Sequence, residues 1–383
     1  GRLGPGDMLS IDTQTGLVET RSEIDKRLAG TRPYKEWLRQ GAQKIQATLE
    51  SDSLESEGVF DKDRLSLYMK MYQVSLEETE QVIRPMAEGG QEAVGSMGDD
   101  TPMAVLSAKN RNLFDYFRQE FAQVTNPPID PLREAIAMSL STQLGPELNV
   151  FEEISDHAVF IDLTSPVLSP RKYFALKNNN HPGFKVRKFP LAFDPHNEDL
   201  KSAILRVCGE VETAVRDDGV VICILSDFDF NQGQIPIHMA LAIGAVHNHL
   251  IKTGLRCDAN LIASTGYARD AHQIATLIGC GASAVYPYLS YLMLHSMVSG
   301  GEILATLDSA LKNYRKSINK GLMKILSKMG ISTIASYRGA MLYEVVGLSS
   351  DIVGLCFPGM MSRIEGADFS DIQREQEGLA GDA

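Results

Sequence analysis

The chain has 383 residues, 44% of them hydrophobic and 22% charged, with 37 basic against 49 acidic side chains and a net charge of −12. That is the composition of a globular protein, long enough to bury a core in one large domain or two ordinary ones. The acidic balance repels phosphate backbones and anionic membranes, and no compact Lys/Arg cluster reverses it, which argues against nucleic-acid and membrane partners.

The first elements read as a hairpin. GRLGPGDMLSIDTQTGLVETRSEI alternates turn and short strand, punctuated by Gly4-Pro5-Gly6 and Thr15-Gly16. A lone hairpin is marginal, so residues 1–45 are expected to be the tail of a preceding domain and a linker. Residues 30–60 are polar and carry the one tryptophan, Trp37. Next, Ser75 with Glu78 fits a capping box opening the helix SLEETEQVIR. Leu113, Phe114, Phe117 and Phe121 recur at helical spacing and predict a helix that buries an aromatic stripe. Asp130-Pro131 predicts the capped start of a helix PLREAIAMSL.

From about residue 158 the rhythm changes. Apolar runs near 158–163, 220–226, 258–263 and 283–286 read as strands, with helices between them. The helix from Asp199 to Arg216 shows its apolar face at Leu200, Ile204, Val207 and Val211. IPIHMALAIGAVHNHLIKTG and ARDAHQIATLIG read as the next two helices. This alternation predicts an α/β fold: a mainly parallel sheet with flanking helices, plus an N-terminal helical and linker region.

Four features bear on chemistry. The strand ends carry Ser226-Asp227-Phe228-Asp229 and Ser264-Thr265-Gly266, either a small-acid site near Asp227 and Thr265 or turns that cap the next helices. His238, His247, His249 and His272 invite a metal reading, but His247 and His249 point about 200° apart on a helix, which does not converge on an ion. EGGQEAVGSMGDDTPMAVLS is a flexible glycine-rich loop with an Asp99-Asp100 pair, and matches neither GxGxxG after a strand nor a Walker A sequence. VTNPPIDP holds three prolines that fix an extended backbone, suited to a wall that keeps its shape or to a plain rigid connector. Five scattered cysteines without a CxxC pair argue against a disulfide framework and against a metal or cluster site built within this chain. With no signal-peptide pattern and no apolar stretch long enough for a bilayer, the expected location is cytoplasmic, or plastid stroma.

Taken in order, LGPGDMLSID, MGDDTPMAVLS, LFDYFRQEFAQVTNPPIDPLRE, AVHNHLIKTGLR, GASAVYPYL and KGLMKILSKMGISTIASYRGAMLYEVVGL resemble the glutamate synthase large subunit over most of the chain. The chain departs from the family pattern at Ser264 and Tyr267, where acidic residues are common, and at Gln273, where a histidine is frequent. The resemblance implies an enzyme in which an N-terminal amidotransferase domain hydrolyses glutamine and passes ammonia to a distant FMN barrel. There 2-oxoglutarate becomes glutamate, with electrons arriving through a 3Fe–4S cluster from ferredoxin or a small NADPH-dependent subunit. It further implies that residues 46–383 are the central α/β domain, with 311–383 leading toward the FMN-binding domain. The chain is then expected to begin after the catalytic cysteine, to end before the flavin- and cluster-binding motifs, to hold no cofactor of its own and to be inactive in isolation. Carried over residue by residue, Met97, Gly98, Asp99 and Asp100 become candidates for the 2-oxoglutarate side. Thr125, Asn126 and Pro127 become candidates for the wall of the ammonia channel.

Overall fold

The computed structural model describes residues 2–44, 61–93, 111–120, 129–130, 132–179, 181–228, 230–231 and 233–381. The chain opens with the expected hairpin, β1 (Leu9–Ile11) and β2 (Val18–Thr20), paired antiparallel and followed by α1 (Arg21–Ala29). Residues 30–44 were expected to be linker, yet they form α2 (Tyr34–Gly41) and β3 (Ala42–Lys44). A far partner supplies the missing bonds: β3 pairs in parallel with β6 (Phe160–Leu163), which pairs on its other side with β5 (Thr142–Leu144).

Helix α3 (Lys62–Met71) is capped by the Asp61 side chain. A continuous helical run follows, from α4 (Leu76–Glu78) through a π turn (Thr79–Ile83) to α5 (Arg84–Gly89), ending at Gly90 in the left-handed region at φ 58°. The capping box is half formed. Ser75 Oγ accepts from Glu78 N–H at 3.0 Å, but the Glu78 carboxylate is committed to Arg269 instead.

Two expected helices are corrected. The aromatic stripe begins as one 3-10 turn (Leu113–Tyr116) and then turns extended, because Phe117–Gln119 becomes strand β4, antiparallel to β13 (Tyr343–Leu348). Phe114 and Phe117 are buried all the same, and Phe121 lies outside the described residues. Strand pairing with a distant segment outweighs the local period. After Asp130, the expected long helix is a single turn, α6 (Glu134–Ala137), since Ser139 leaves it to bridge with Thr333. Asp130 Oδ1 does accept from the Leu132 and Arg133 amides, at 3.0 and 3.2 Å.

The core is a four-stranded parallel sheet, β12-β11-β9-β7. Its strands are β7 (Val186–Pro190), β9 (Ile222–Ser226), β11 (Asn260–Ser264) and β12 (Ala284–Tyr286). The last three lie near positions read from the sequence, whereas β7 was not read as a strand, and the run at 158–163 is β6, whose two edges are taken by β3 and β5 outside this sheet. In-register ladders join Val186 to Ile222 and Ile222 to Asn260. Every residue of β9, β11 and β12 is buried, as expected for strands covered on both faces. The short strands β8 (Ala192–Phe193) and β10 (Ile235–Pro236) pair with each other beside this sheet. Ile235 and Pro236 were expected to be helical, but the helix starts only after His238.

Helices α7 (Pro170–Lys177), α8 (Leu200–Arg216), α9 (Met239–Lys252), α10 (Ala271–Gly279) and α11 (Tyr288–Ser299) connect and flank the strands. Helix α8 buries Leu200, Ile204, Val207 and Val211, the face expected of it. The chain finishes with α12 (Leu307–Met329), α13 (Ile334–Tyr337), β13, α14 (Ser350–Cys356), β14 (Met361–Ala367) and α15 (Phe369–Gly381). Helices α9 and α14 approach so closely that a Cβ on Gly244 would overlap the Cys356 carbonyl.

Candidate functional site

In a parallel sheet the carboxyl ends of the strands gather polar groups, and here they gather Asp227 and Thr265 as the sequence suggested. Thr265 Oγ1 donates to Asp227 Oδ2 at 2.5 Å, and the Gly266 amide donates to Oδ1 at 3.0 Å. The Tyr72 hydroxyl, from just beyond α3, donates to the Asp227 carbonyl, with Tyr288 at 3.4 Å from the same oxygen. Asp227 and Thr265 are each 0% exposed. Burial pushes the Asp227 carboxyl up to about 7, against the hydrogen bonds that favour its charge. The pair is thus an internal tie between the ends of β9 and β11, closed over by Tyr72, rather than an open small-acid site.

Beside it lies a node that sequence reasoning missed. Arg269, 1% exposed, makes a bidentate pair with Glu78 at 2.7 and 3.1 Å. Its remaining nitrogen donates to the carbonyls of Tyr72 and Gly266, both at 3.0 Å. This guanidinium fastens the helical run 76–89 across the strand ends. No local signal marks such a partnership, because Glu78 reads equally well as half of a capping box. Tyr267 packs between Tyr72 and His238, at ring separations of 4.6 and 4.0 Å. The departures from the family pattern fall here: Ser264, Tyr267 and Gln273 are all buried, and Gln273 Oε1 accepts from the Arg269 amide at 2.7 Å.

The histidines do not converge. His238 caps α9 through Nδ1, His247 accepts from Arg256 Nε at 2.9 Å, His249 meets Glu212, and His272 meets the Phe114 carbonyl at 3.2 Å. Burial pushes both His238 and His247 down to about 3, so they are neutral at physiological pH. Among the described residues no group of three or more His, Cys, Asp or Glu could hold a metal ion. Cys208, Cys223, Cys280 and Cys356 are buried apart, and burial pushes Cys208 and Cys223 up to about 12.

A cleft of about 690 Å³ lies beyond the ends of β7 and β9, lined by Arg64, Tyr68, Asn197, Arg206, Phe228 and Gln234 among others. Its polar groups are engaged in holding the fold: Arg206 bonds Glu198 at 3.0 Å and the Ala192 carbonyl at 3.1 Å. Met97, Gly98, Asp99, Asp100, Thr125, Asn126 and Pro127 lie outside the described residues. Their flanks are anchored. Lys324 pairs with Glu92 at 3.3 Å before the first segment. The Glu120 amide donates to the Leu342 carbonyl at 3.1 Å before the second, and Ser327 Oγ donates to the Ile129 carbonyl at 2.7 Å after it.

Residues 68–349 match the family described as the glutamate synthase central domain, and residues 1–37 match the class-II glutamine amidotransferases. The chain belongs to the glutamate synthase family. It is 38% identical to the NADPH glutamate synthase large chain of Bacillus subtilis, over 98% of this chain and 24% of that one. Identity is 39% to the chloroplastic ferredoxin-dependent glutamate synthase of Oryza sativa, again over 98% and 24%. It is also 39% to the NADPH glutamate synthase large chain of Azospirillum brasilense, over 98% and 25%. The chain thus spans about a quarter of the length of these relatives. The flavin-binding domain of baker's yeast flavocytochrome b2 overlaps it with a TM-score of 0.30 and 14% identity, over 38% of this chain and 36% of that one, too slight a likeness to bear on function.

Proposed function

We propose that this chain is the central, linking part of a glutamate synthase large subunit. It joins an amidotransferase domain, whose tail is residues 1–45, to an FMN-binding synthase domain toward which residues 311–383 lead. In this reading the whole enzyme converts glutamine and 2-oxoglutarate to two molecules of glutamate. FMN and a 3Fe–4S cluster belong to other parts of that polypeptide, and ferredoxin or a small NADPH-dependent subunit supplies the electrons. The observation that carries the reading is likeness over 98% of the chain to relatives of which the chain forms about a quarter. The interior supports it: the buried titratable groups at the strand ends are tied to one another, as suits a domain that positions neighbours. On this reading the purified chain alone shows neither stoichiometric flavin absorbance nor glutaminase activity.

Within that role, Met97, Gly98, Asp99 and Asp100 stand on the 2-oxoglutarate side of the flavin site, and Thr125, Asn126 and Pro127 wall the ammonia passage. Neutral ammonia crosses a protein without leaking or protonating when the passage is rigid and poor in water, which a proline-fixed backbone favours. The test is Asn126→Trp in the full enzyme, comparing glutamine-driven turnover with turnover driven by added ammonia. The expected outcome is glutamine hydrolysis uncoupled from glutamate formation, while ammonia-driven turnover and the fold persist. Full coupling in this variant would return the segment to the role of a plain connector.

A further inference from the structure

Phe151 is 93% exposed and its neighbour Val150 is 82% exposed. Every other Phe, Tyr and Trp side chain among the described residues is buried or half-buried. Single exposed apolar residues are ordinary, but these two occupy the centre of a turn, where Gly, Pro, Asn, Asp and Ser are the usual residues. Ile154, 40% exposed, adds a third apolar side chain three residues further on.

The turn has a fixed shape. The Glu152 amide donates to the Asn149 carbonyl at 3.0 Å, which closes a β-turn with Val150 and Phe151 at its two central positions. Asn149 Oδ1 accepts from the Phe151 amide at 3.1 Å, and Asn149 Nδ2 donates to Glu152 Oε1 at 3.0 Å. His157 Nε2 lies 3.1 and 2.7 Å from the carbonyls of Asn149 and Glu152. Both oxygens can only accept, so this nitrogen carries the hydrogen. Just before the turn, the Glu147 amide donates to the Cys257 carbonyl at 2.7 Å. A tip ordered in advance loses little entropy when a partner covers it.

The flank of this tip is already occupied by the piece of chain that matches the amidotransferases, residues 1–37. Within that piece, Tyr34 Oη donates to Glu153 Oε1 at 3.1 Å, and Arg32 Nε lies 3.9 Å from Glu153 Oε2. Helix α2 runs on along the 3-10 turn Ser155–Ala158. It approaches so closely that a Cβ on Gly41 would lie 2.6 Å from the Ala158 carbonyl oxygen. Glu153 is two residues from Phe151, so the apolar tip continues the surface on which the amidotransferase-like piece is seated.

We propose that the Val150–Phe151 tip is a docking anchor for the amidotransferase domain of the same polypeptide, seated in an apolar pocket on that domain. The inference rests on the linking role given above. An apolar pocket fits the tip because Val150 and Phe151 present only hydrocarbon, while the polar groups of the turn bond to one another. Rigid aromatic side chains that fill a partner's pocket supply a large share of the energy of an interface. Asn149 and His157 hold the tip in the shape that docks.

The test uses the full enzyme, with the photo-crosslinking amino acid benzoylphenylalanine in place of Phe151. Illumination is expected to join position 151 to the amidotransferase domain, read by mass spectrometry of the crosslinked peptides. Crosslinks to the flavin-binding domain, or to a second copy of the chain, overturn this inference and leave the linking role standing. Absence of any crosslink means that the tip faces water and overturns it as well. A second arm compares amide hydrogen exchange across residues 149–157 in the full enzyme and in the purified chain. Exchange is expected to be slower in the full enzyme, and Val150→Ser with Phe151→Ser is expected to speed it there roughly thirtyfold, the loss typical of an anchor residue. In the purified chain the same double variant is expected to change neither that exchange nor the unfolding midpoint, because both side chains already lie in water. Equal exchange in the two settings overturns the docking. A full enzyme with no glutaminase activity overturns the functional reading, and this inference with it.

Discussion

The four-stranded sheet and the N-terminal residues 2–33 are both regular structure, but they are held by opposite means. In β9, β11 and β12 every side chain is buried, and the helices around them close a continuous apolar core. Of residues 2–33, Ile24 alone is buried. That piece is ordered by polar ties: a capping box between Thr20 and Glu23, Arg21 Nη1 to the Gly6 carbonyl at 2.7 Å, and Arg27 with Glu19 at 2.7 Å. Exposed ties of this kind contribute about 0–1 kcal/mol each, whereas one fully buried Leu side chain contributes roughly 1.5–3 kcal/mol. The comparison teaches that the sheet stabilises itself, while the hairpin has a shape but little stability of its own. In the proposed reading, its exposed Leu9, Ile11 and Val18 face the amidotransferase domain.

The sharpest way to break that contrast is to attack the sheet region at its polar node. Removing the Arg269 side chain leaves Glu78 without its partner and the carbonyls of Tyr72 and Gly266 without a donor. Breaking a buried pair from one side costs about 3–5 kcal/mol, and Glu78 is partly exposed, so Arg269→Ala is expected to cost about 3 kcal/mol. Denaturant titration of the purified chain checks this. A loss below about 1 kcal/mol would mean that the node is decorative and that burial alone holds the strand ends.

Much of the sheet was legible in the sequence because its signals are local. The apolar runs at 220–226 and 258–263 fall within two residues of β9 and β11, and the Leu200–Val211 stripe is the buried face of α8. What was illegible depends on partners far along the chain. Leu113, Phe114 and Phe117 have helical spacing, yet Phe117–Gln119 is a strand because β13 offers it a ladder. Residues 42–44 look like linker until β6 pairs with them. At the strand ends, Asp227 and Thr265 were visible as polar residues in the right place. Their closure by Tyr72 and the diversion of Glu78 to Arg269 were not visible, since both residues come from segments outside the sheet.

A middle-sized effect concerns pH. Asp227 has its folded pKa raised from 3.8 to about 7, so the folded state holds its proton more tightly than the unfolded chain does. Its contribution to stability is complete below about pH 4 and is lost as pH rises through 7. His238 and His247 act in the opposite sense. Lowered from 6.5 to about 3, they contribute fully above pH 6.5, and that contribution is lost as pH falls toward 3. The raw stability curve therefore mixes opposing slopes, and the difference between the chain and its Asp227→Asn variant isolates the carboxyl. The variant is expected to be the less stable of the two at pH 4, with the gap narrowing steadily to pH 8. A gap independent of pH would show that Asp227 does not titrate between folded and unfolded states in this window.

The smallest expected effect lies in the hairpin, and it sharpens the comparison most directly. Leu9 is 46% exposed and Val18 53% exposed, so truncating either removes little area that folding took from water. Surface changes away from special features usually stay within about 0.5 kcal/mol, and Leu9→Ala is expected to leave the unfolding midpoint of the purified chain within that bound. The matched change inside the sheet is Leu261→Ala on β11, at 0% exposure, where a large-to-small core substitution costs about 2–5 kcal/mol. The two variants remove the same atoms from strands of the same protein, so their ratio measures burial rather than chemistry. Repeating Leu9→Ala in the full enzyme adds the deciding arm. If the amidotransferase domain covers this hairpin, the same truncation becomes a core substitution there, and its cost rises toward that of Leu261→Ala. An equally small cost in both settings would leave the hairpin facing water and remove the proposed docking of residues 1–45 on that domain.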